Sequence, residues 1–83
     1  MKIVLSKTEK IMALLNQNDP TGEYAKSDDY RCYSYEADII AQNIRKNSRV
    51  ETVIKYIAEV FPGIDTDSKG VKQMAGYMLM AIK

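Results

Sequence analysis

Apolar residues recur at intervals of three and four along most of the chain, and this spacing predicts helices. The clearest case is residues 49–61, whose apolar positions are Val50, Val53, Ile54, Ile57, Val60 and Phe61. Pro62 and Gly63 follow at once and favour the end of a helix. A second regular stripe contains Val71, Met74, Ala75, Met78 and Ile82. We therefore predict helices over residues 49–61 and 69–83.

Two capping boxes indicate where helices begin. Ser6 and Glu9 have the spacing at which a hydroxyl and a carboxylate each accept a hydrogen bond from the other residue's backbone N–H. Ser48 and Glu51 repeat this spacing before the apolar stripe at 49–61. The first box predicts a helix over residues 7–17, and the second predicts the start of the helix at 49–61. Residues 16–27 are rich in Asn, Asp, Pro and Gly and predict a loop.

The segment between these helices has two interpretations. An apolar stripe at helical spacing runs through Tyr30, Tyr33, Ala37, Ile40, Ala41 and Ile44, and it predicts one helix over residues 28–46. The fold class is then all-α, a small four-helix domain over 1–83 with helices at 7–17, 28–46, 49–61 and 69–83. Residues 30–35 are also rich in β-prone side chains. The alternative is therefore an α+β fold in which 1–5 and 30–35 form two short paired strands.

The composition excludes most chemistry that needs a nucleophile or a metal. The 83 residues include no His and a single Cys, which removes a Ser-His-Asp triad, a Cys-His pair, a dedicated zinc site and a disulfide framework. Glu36 and Asp38 are two residues apart and point to different sides of a helix, so they do not converge as general acid and base. Residues 65–70 begin like a calcium loop, but Lys69 stands where an oxygen ligand is required. We predict a protein that is not an enzyme and that has no cofactor and no metal.

Charge is unevenly distributed although the net charge is only +1. Residues 19–38 contain six acidic and two basic residues, a net charge of −4, and tyrosines lie among them. Tyrosine contributes large contact area at low entropic cost and is enriched at the energetic centres of protein interfaces. We predict that a protein partner contacts this region at Tyr24, Asp28, Asp29, Tyr35, Glu36 and Asp38.

A basic segment follows, with a net charge of +3 over residues 42–56. Its spacing is similar to that of a helix-turn-helix, in which the first turn of the second helix meets bases and phosphates. Contacts to nucleic acid or to an acidic partner are predicted at Arg45, Lys46, Arg49, Thr52 and Lys55. In the last helix, Tyr77 and Met80 fall off the buried stripe, and they predict self-association into a homo-oligomer through that helix.

These features predict a small binding protein of the cytoplasm. The apolar stretch within residues 1–6 is too short for a secretory leader, and no apolar run approaches the about 20 residues that span a bilayer. We expect no membrane partner. The predicted function is that of a stoichiometric inhibitor or adaptor that occludes a protein partner, a profile typical of phage or plasmid accessory proteins such as anti-CRISPR inhibitors. The alternative is a helix-turn-helix-like regulator that binds nucleic acid.

Overall fold

The chain forms a small all-α domain, as the apolar spacing predicts. A computed structural model describes residues 5–82, within which there are five helices and no strand. These are α1 (Lys7–Asn18), α2 (Glu23–Ser27), α3 (Ser34–Asn43), α4 (Val50–Val60) and α5 (Lys69–Ile82). No helix within the described part of the chain is long and apolar enough to cross a membrane.

The four longer helices pack as a closed ring, and α2 is a short helix in the connection between α1 and α3. In this ring α1 contacts α3 and α5, and α4 contacts the same two helices. The start of α1 lies beside the end of α3, because the Lys7 ammonium donates a hydrogen bond to the Ile44 carbonyl. Lys7 also lines a crevice with Ile82 at the end of α5. One end of the bundle therefore contains the start of α1, the connection 44–49 and the end of α5.

The core is built from the predicted stripes. Its fully buried side chains include Ile11, Leu15, Ile40, Ile57 and Met78. Full burial of a side chain of this size stabilises the fold by about 1.5–3 kcal/mol relative to leaving it exposed. The Tyr33 and Phe61 rings meet edge to face, with centroids 5.6 Å apart. Aromatic contact thus joins the start of α3 to the end of α4.

The capping box predicted at Ser6 is present. The Ser6 hydroxyl accepts a hydrogen bond from Glu9 N at 3.1 Å, and the Glu9 carboxylate accepts one from Ser6 N at 3.1 Å. A comparable cap begins α5, where the Ser68 hydroxyl accepts a hydrogen bond from Val71 N at 3.2 Å. Two of the helices therefore begin where short side-chain acceptors satisfy backbone N–H groups that have no partner within the helix.

The second predicted capping box, at Ser48 and Glu51, is wrong. The N-cap of α4 is Arg49, which makes no side-chain cap, and the helix runs over Val50–Val60. The Ser48 hydroxyl instead accepts a hydrogen bond from Arg45 N at 2.8 Å, and Ser48 N donates one to the Arg45 carbonyl at 3.0 Å. The hydroxyl is engaged in closing the connection 44–49, so it does not cap the helix that follows.

The single helix predicted over 28–46 is also wrong at its start. The segment that was predicted to be a loop at 16–27 contains the end of α1 and all of α2, and α3 begins only at Ser34. Asp28 has a positive φ of 53° and ends α2, while the Asp29 carboxylate accepts a hydrogen bond from Arg31 N at 3.0 Å. These local bonds offer the backbone an alternative to the helix.

The alternative strand at 30–35 is wrong as well. Residues 30–33 form turns and residues 34–35 belong to α3, so no part of this segment forms a β-strand. Of the strand predicted over 1–5, residues 1–4 lie outside the described residues, and Leu5 is not in a strand. Lys83, the predicted end of the last helix, is also outside them.

Candidate protein-binding surface

A polar cluster around the Asp19 carboxylate holds the short helix α2 in place. The Asp19 carboxylate accepts hydrogen bonds from the Tyr33 hydroxyl at 2.6 Å, from Tyr24 N at 2.9 Å and from Ala25 N at 3.0 Å. These bonds lower the pKa of Asp19, with the Tyr33 hydroxyl as the largest cause. The Tyr33 hydroxyl also lies 3.0 Å from the Thr21 hydroxyl. All of these polar atoms are engaged with one another, so the cluster serves the fold.

Cys32 lies beside this cluster and is half-buried. Burial raises the pKa of its thiol, and the negative charges of Glu23, Asp29 and Asp19 raise it further. A raised pKa disfavours the thiolate, which is the nucleophilic form. Within residues 5–82 no group of three or more His, Cys, Asp or Glu side chains is arranged to hold a metal ion.

The residues predicted to contact a protein partner do not form one surface. Tyr24 is half-buried against the core, and Asp28 and Asp29 are exposed where α2 ends. Glu36 lines a crevice of about 320 Å³ between α3 and residues 60–64, together with Glu23 and Phe61. Tyr35 and Asp38 lie instead in a shallow depression shared with α1. The acidic segment of the sequence is therefore divided among three places.

The predicted basic residues are better grouped. Arg45, Lys46 and Arg49 are exposed in the connection 44–49, whereas Thr52 is half-buried on α4 and the Lys55 ammonium lies over the Tyr56 ring, 5.7 Å from its centroid. The crevice at this end of the bundle has a volume of about 460 Å³ and is lined by Lys7, Arg45, Lys46, Asn47 and Ile82.

Lys7 completes this group, and the sequence pattern did not indicate it because Lys7 lies on α1, far along the chain from the connection 44–49. The pKa of Lys7 is lowered, chiefly by desolvation and secondly by the positive charge of Arg45. The Arg45 guanidinium donates hydrogen bonds to the carbonyls of Gln42, at 3.0 Å, and Ile44, at 3.4 Å. Two like charges are thus brought together at the end of α3. We refer to Lys7, Arg45, Lys46 and Arg49 as the basic end.

An apolar groove lies between α1 and α5. We name it the α1–α5 groove; it has a volume of about 540 Å³ and is lined by Leu5, Lys10, Ala13, Leu14, Gln17, Tyr77, Met80 and Ala81. Leu5, Tyr77 and Met80 are 43%, 54% and 68% exposed. Sequence reasoning identified Tyr77 and Met80 from their position on α5 and missed the α1 side.

The rotation of each helix about its axis explains why the groove residues are exposed. On α5, Met78 and Leu79 turn into the core, so Tyr77 and Met80 are directed outward. On α1 the core positions are Ile11, Met12 and Leu15, which leaves the small side chain of Ala13 on the outer face. Exposed apolar side chains are ordinary when scattered, whereas a contiguous group of them is a candidate interaction surface.

Comparisons with protein-family models, with curated proteins and with solved structures found no match to this chain. Its surfaces and their chemistry are therefore the basis for assigning a function.

Proposed function

We propose that this protein is a small, non-enzymatic binding domain that acts as a stoichiometric inhibitor or adaptor by occluding the surface of a protein partner. The observation that carries this proposal is the α1–α5 groove, where Leu5, Tyr77 and Met80 expose apolar surface together. Covering this apolar surface removes it from water, which lowers the free energy of the system and favours association. Association through it requires no catalytic group.

The residue types in the groove suit protein recognition. Tyrosine supplies a large rigid contact, and methionine adapts to irregular partner surfaces because it is unbranched and polarisable. On α1 the lining positions Lys10, Ala13, Leu14 and Gln17 follow the i, i+3, i+4, i+7 spacing, so they form one continuous row. Two helices that present such rows side by side form a channel into which a further helix can pack.

The test compares a groove variant with a control variant outside the groove. A Tyr77→Ser/Met80→Ser double variant removes the large groove side chains, and Tyr35→Ser removes a tyrosine that is 73% exposed outside the groove. The wild-type domain, immobilised and exposed to an extract of its own cells, is expected to capture a partner that is then purified. Calorimetric titration should give a one-to-one complex that the groove variant weakens at least about thirtyfold, which corresponds to the roughly 2 kcal/mol of one interface hot spot. Equal affinity for the groove variant contradicts the proposal.

The basic end favours nucleic acid as the second candidate function. Arg45, Lys46 and Arg49 are exposed in one connection, and Lys7 lies beside them. Phosphate contacts from such residues give an affinity that falls steeply with salt. If this function is correct, duplex DNA is retarded in a gel at low salt and Arg49→Ala weakens the shift. Absence of any shift at low salt removes this candidate.

A further inference from the structure

We infer that the partner segment is an amphipathic helix with an acidic end, which lays its apolar face in the α1–α5 groove and places its carboxylates over the basic end. This inference rests on the proposed function and specifies the chemistry of its partner. Three features of the structure support it: the continuity of the two surfaces, the sign of the charge around them, and the location of the chain's own acidic residues.

The apolar groove and the basic end form one continuous surface. Ala81 lines the groove, and the next residue, Ile82, lines the basic crevice. On the α1 side Lys7 lines the crevice, and Lys10, which is one helical turn further on, lines the groove. A segment that lies along the groove therefore passes over the basic crevice when it reaches this end of the bundle.

The charged side chains that line this surface are all basic. Among residues 5–82 no acidic residue lines the groove or the basic crevice, whereas Lys7, Lys10, Arg45 and Lys46 all line one or the other. The pKa of Lys7 is lowered in part by Arg45, so these two positive charges repel each other in the folded protein. Carboxylates from a partner relieve this repulsion as they bind, which favours an acidic partner and selects against a basic one.

A second copy of this chain fits the surface poorly. A symmetric dimer opposes the same patch on both subunits. Among the described residues, the groove is lined by Lys10 and by no acidic residue, so groove-to-groove pairing offers no carboxylate to Lys10 or to the adjoining basic crevice. The exposed acids Asp28 and Asp29 follow α2, close to Asn16 near the end of α1 and away from the basic end.

The experiment uses two synthetic helical peptides that differ only in the charge of one terminal turn. Each has about 16 residues, roughly 24 Å of helix, and the same Leu and Ile row at i, i+3, i+4 and i+7. One ends in three Glu and the other in three Lys. Binding to the full chain is measured by fluorescence anisotropy. The Glu peptide is expected to bind at least about tenfold tighter, and the difference should shrink between about 0.05 M and about 0.5 M salt as the charges are screened.

Variants of the protein test whether the preference for the Glu peptide depends on the basic end. Arg45→Gln and Lys46→Glu should each reduce the advantage of the Glu peptide, and Tyr77→Ser/Met80→Ser should weaken both peptides equally. Lys46 is exposed, so Lys46→Glu gives the result even if the loss of the Arg45 guanidinium bonds disturbs the connection. Circular dichroism confirms that each variant is folded.

The outcomes separate this inference from the proposed function. Equal binding of both peptides, with loss only in the groove variant, overturns the acidic helix and supports the proposed function. Failure of both peptides to bind overturns the inference, and a dimer seen by light scattering then identifies a second copy as the occupant. Glu-peptide binding that the groove variant leaves unchanged overturns both. Displacement of the peptide by duplex DNA at equal charge concentration also overturns the inference, because it assigns the basic end to nucleic acid.

Discussion

Tyr33, the residue immediately before α3, combines two roles. Its ring is fully buried against Phe61, and its hydroxyl donates a hydrogen bond to the Asp19 carboxylate at 2.6 Å. Tyr33→Phe keeps the ring and removes the hydroxyl, which leaves Thr21 N without the acceptor it bonds at 3.2 Å. We expect the free energy of unfolding to fall by about 2 kcal/mol, the usual range for a hydrogen bond to a charged group. Urea denaturation measures this.

The control for Tyr33→Phe is Tyr35→Phe. Tyr35 stands two residues further along α3 and is 73% exposed. Exposed substitutions of this kind change stability by no more than about 0.5 kcal/mol. Equal effects of the two variants would show that the Tyr33 hydroxyl contributes no net stability.

Asp19 makes the stability of the fold depend on acid. Its pKa is lowered, first by the Tyr33 hydroxyl and then by the backbone N–H groups of Tyr24 and Ala25. Because the folded state binds this proton more weakly than the unfolded chain, the contribution is fully present above the unfolded pKa of about 3.9 and is lost as pH falls through the folded pKa. Glu9, whose pKa is lowered by its bonds to Ser6, acts in the same direction.

The acid dependence is tested with Asp19→Asn. The amide retains an oxygen acceptor but does not titrate, so the variant should be less stable at neutral pH and lose less stability than the wild type as the pH falls below about 4. Chemical denaturation at a series of pH values gives the dependence of the free energy of unfolding on pH for the variant and for the wild type. Glu9→Gln, made separately, should remove another part of the slope. If Asp19→Asn lost as much stability as the wild type below about pH 4, Asp19 would not be a source of the acid dependence.

At the scale of the helices and their connections, two glycines give opposite expectations. Gly76 lies inside α5, and a Cβ placed there meets nothing within 4 Å. Gly76→Ala should therefore stabilise the protein by about 0.8 kcal/mol, the difference in helix propensity. Gly63 has a φ of +90° in the connection after α4, so Gly63→Ala should destabilise by about 1 kcal/mol. Thermal unfolding of both variants checks the two signs, and a stabilising Gly63→Ala is the result that would refute the strain.

The helix boundaries show which local features the sequence could predict. The stripe predicted over residues 49–61 gives the buried positions Val53, Ile57 and Phe61 correctly because the helical period decides them. The same reasoning extended a helix through Tyr30, which is exposed, because the stripe continues across the break between α2 and α3. The break depends on three consecutive turn-forming residues, Ser27, Asp28 and Asp29. A Ser followed by two Asp also suits the N-cap and first turn of a helix, and that interpretation agreed with the apolar spacing.

At the scale of the whole molecule, the folding of the bundle decides which charged residues of the sequence share a surface. The predicted basic segment stays together because Arg45, Lys46 and Arg49 belong to one connection, whereas the acidic segment is dispersed because α2 and α3 turn its residues in different directions. Neither Lys7 nor the α1 side of the groove was predictable from local pattern. Both depend on which helices pack together, and the helical period of one segment does not determine its neighbours.

Two methionines on α5 allow a test of whether the groove side chains contribute to folding or only to the exposed surface. Met78 is fully buried, whereas Met80 is 68% exposed and lines the α1–α5 groove. Met78→Gln places an amide in the apolar core and should cost about 3 kcal/mol. Met80→Gln should change the free energy of unfolding by less than about 0.5 kcal/mol. Urea denaturation of the two variants gives this comparison.

The comparison is sensitive because a domain of 83 residues has little stability to lose. If Met80→Gln weakened the partner complex while leaving the unfolding curve unchanged, the exposed side chain would act in binding and not in folding. A large destabilisation by Met80→Gln would show instead that the groove side chains hold α1 against α5, and the groove would then be part of the core. Since both substitutions put the same side chain on the same helix, the difference between them reports only the direction in which each side chain points.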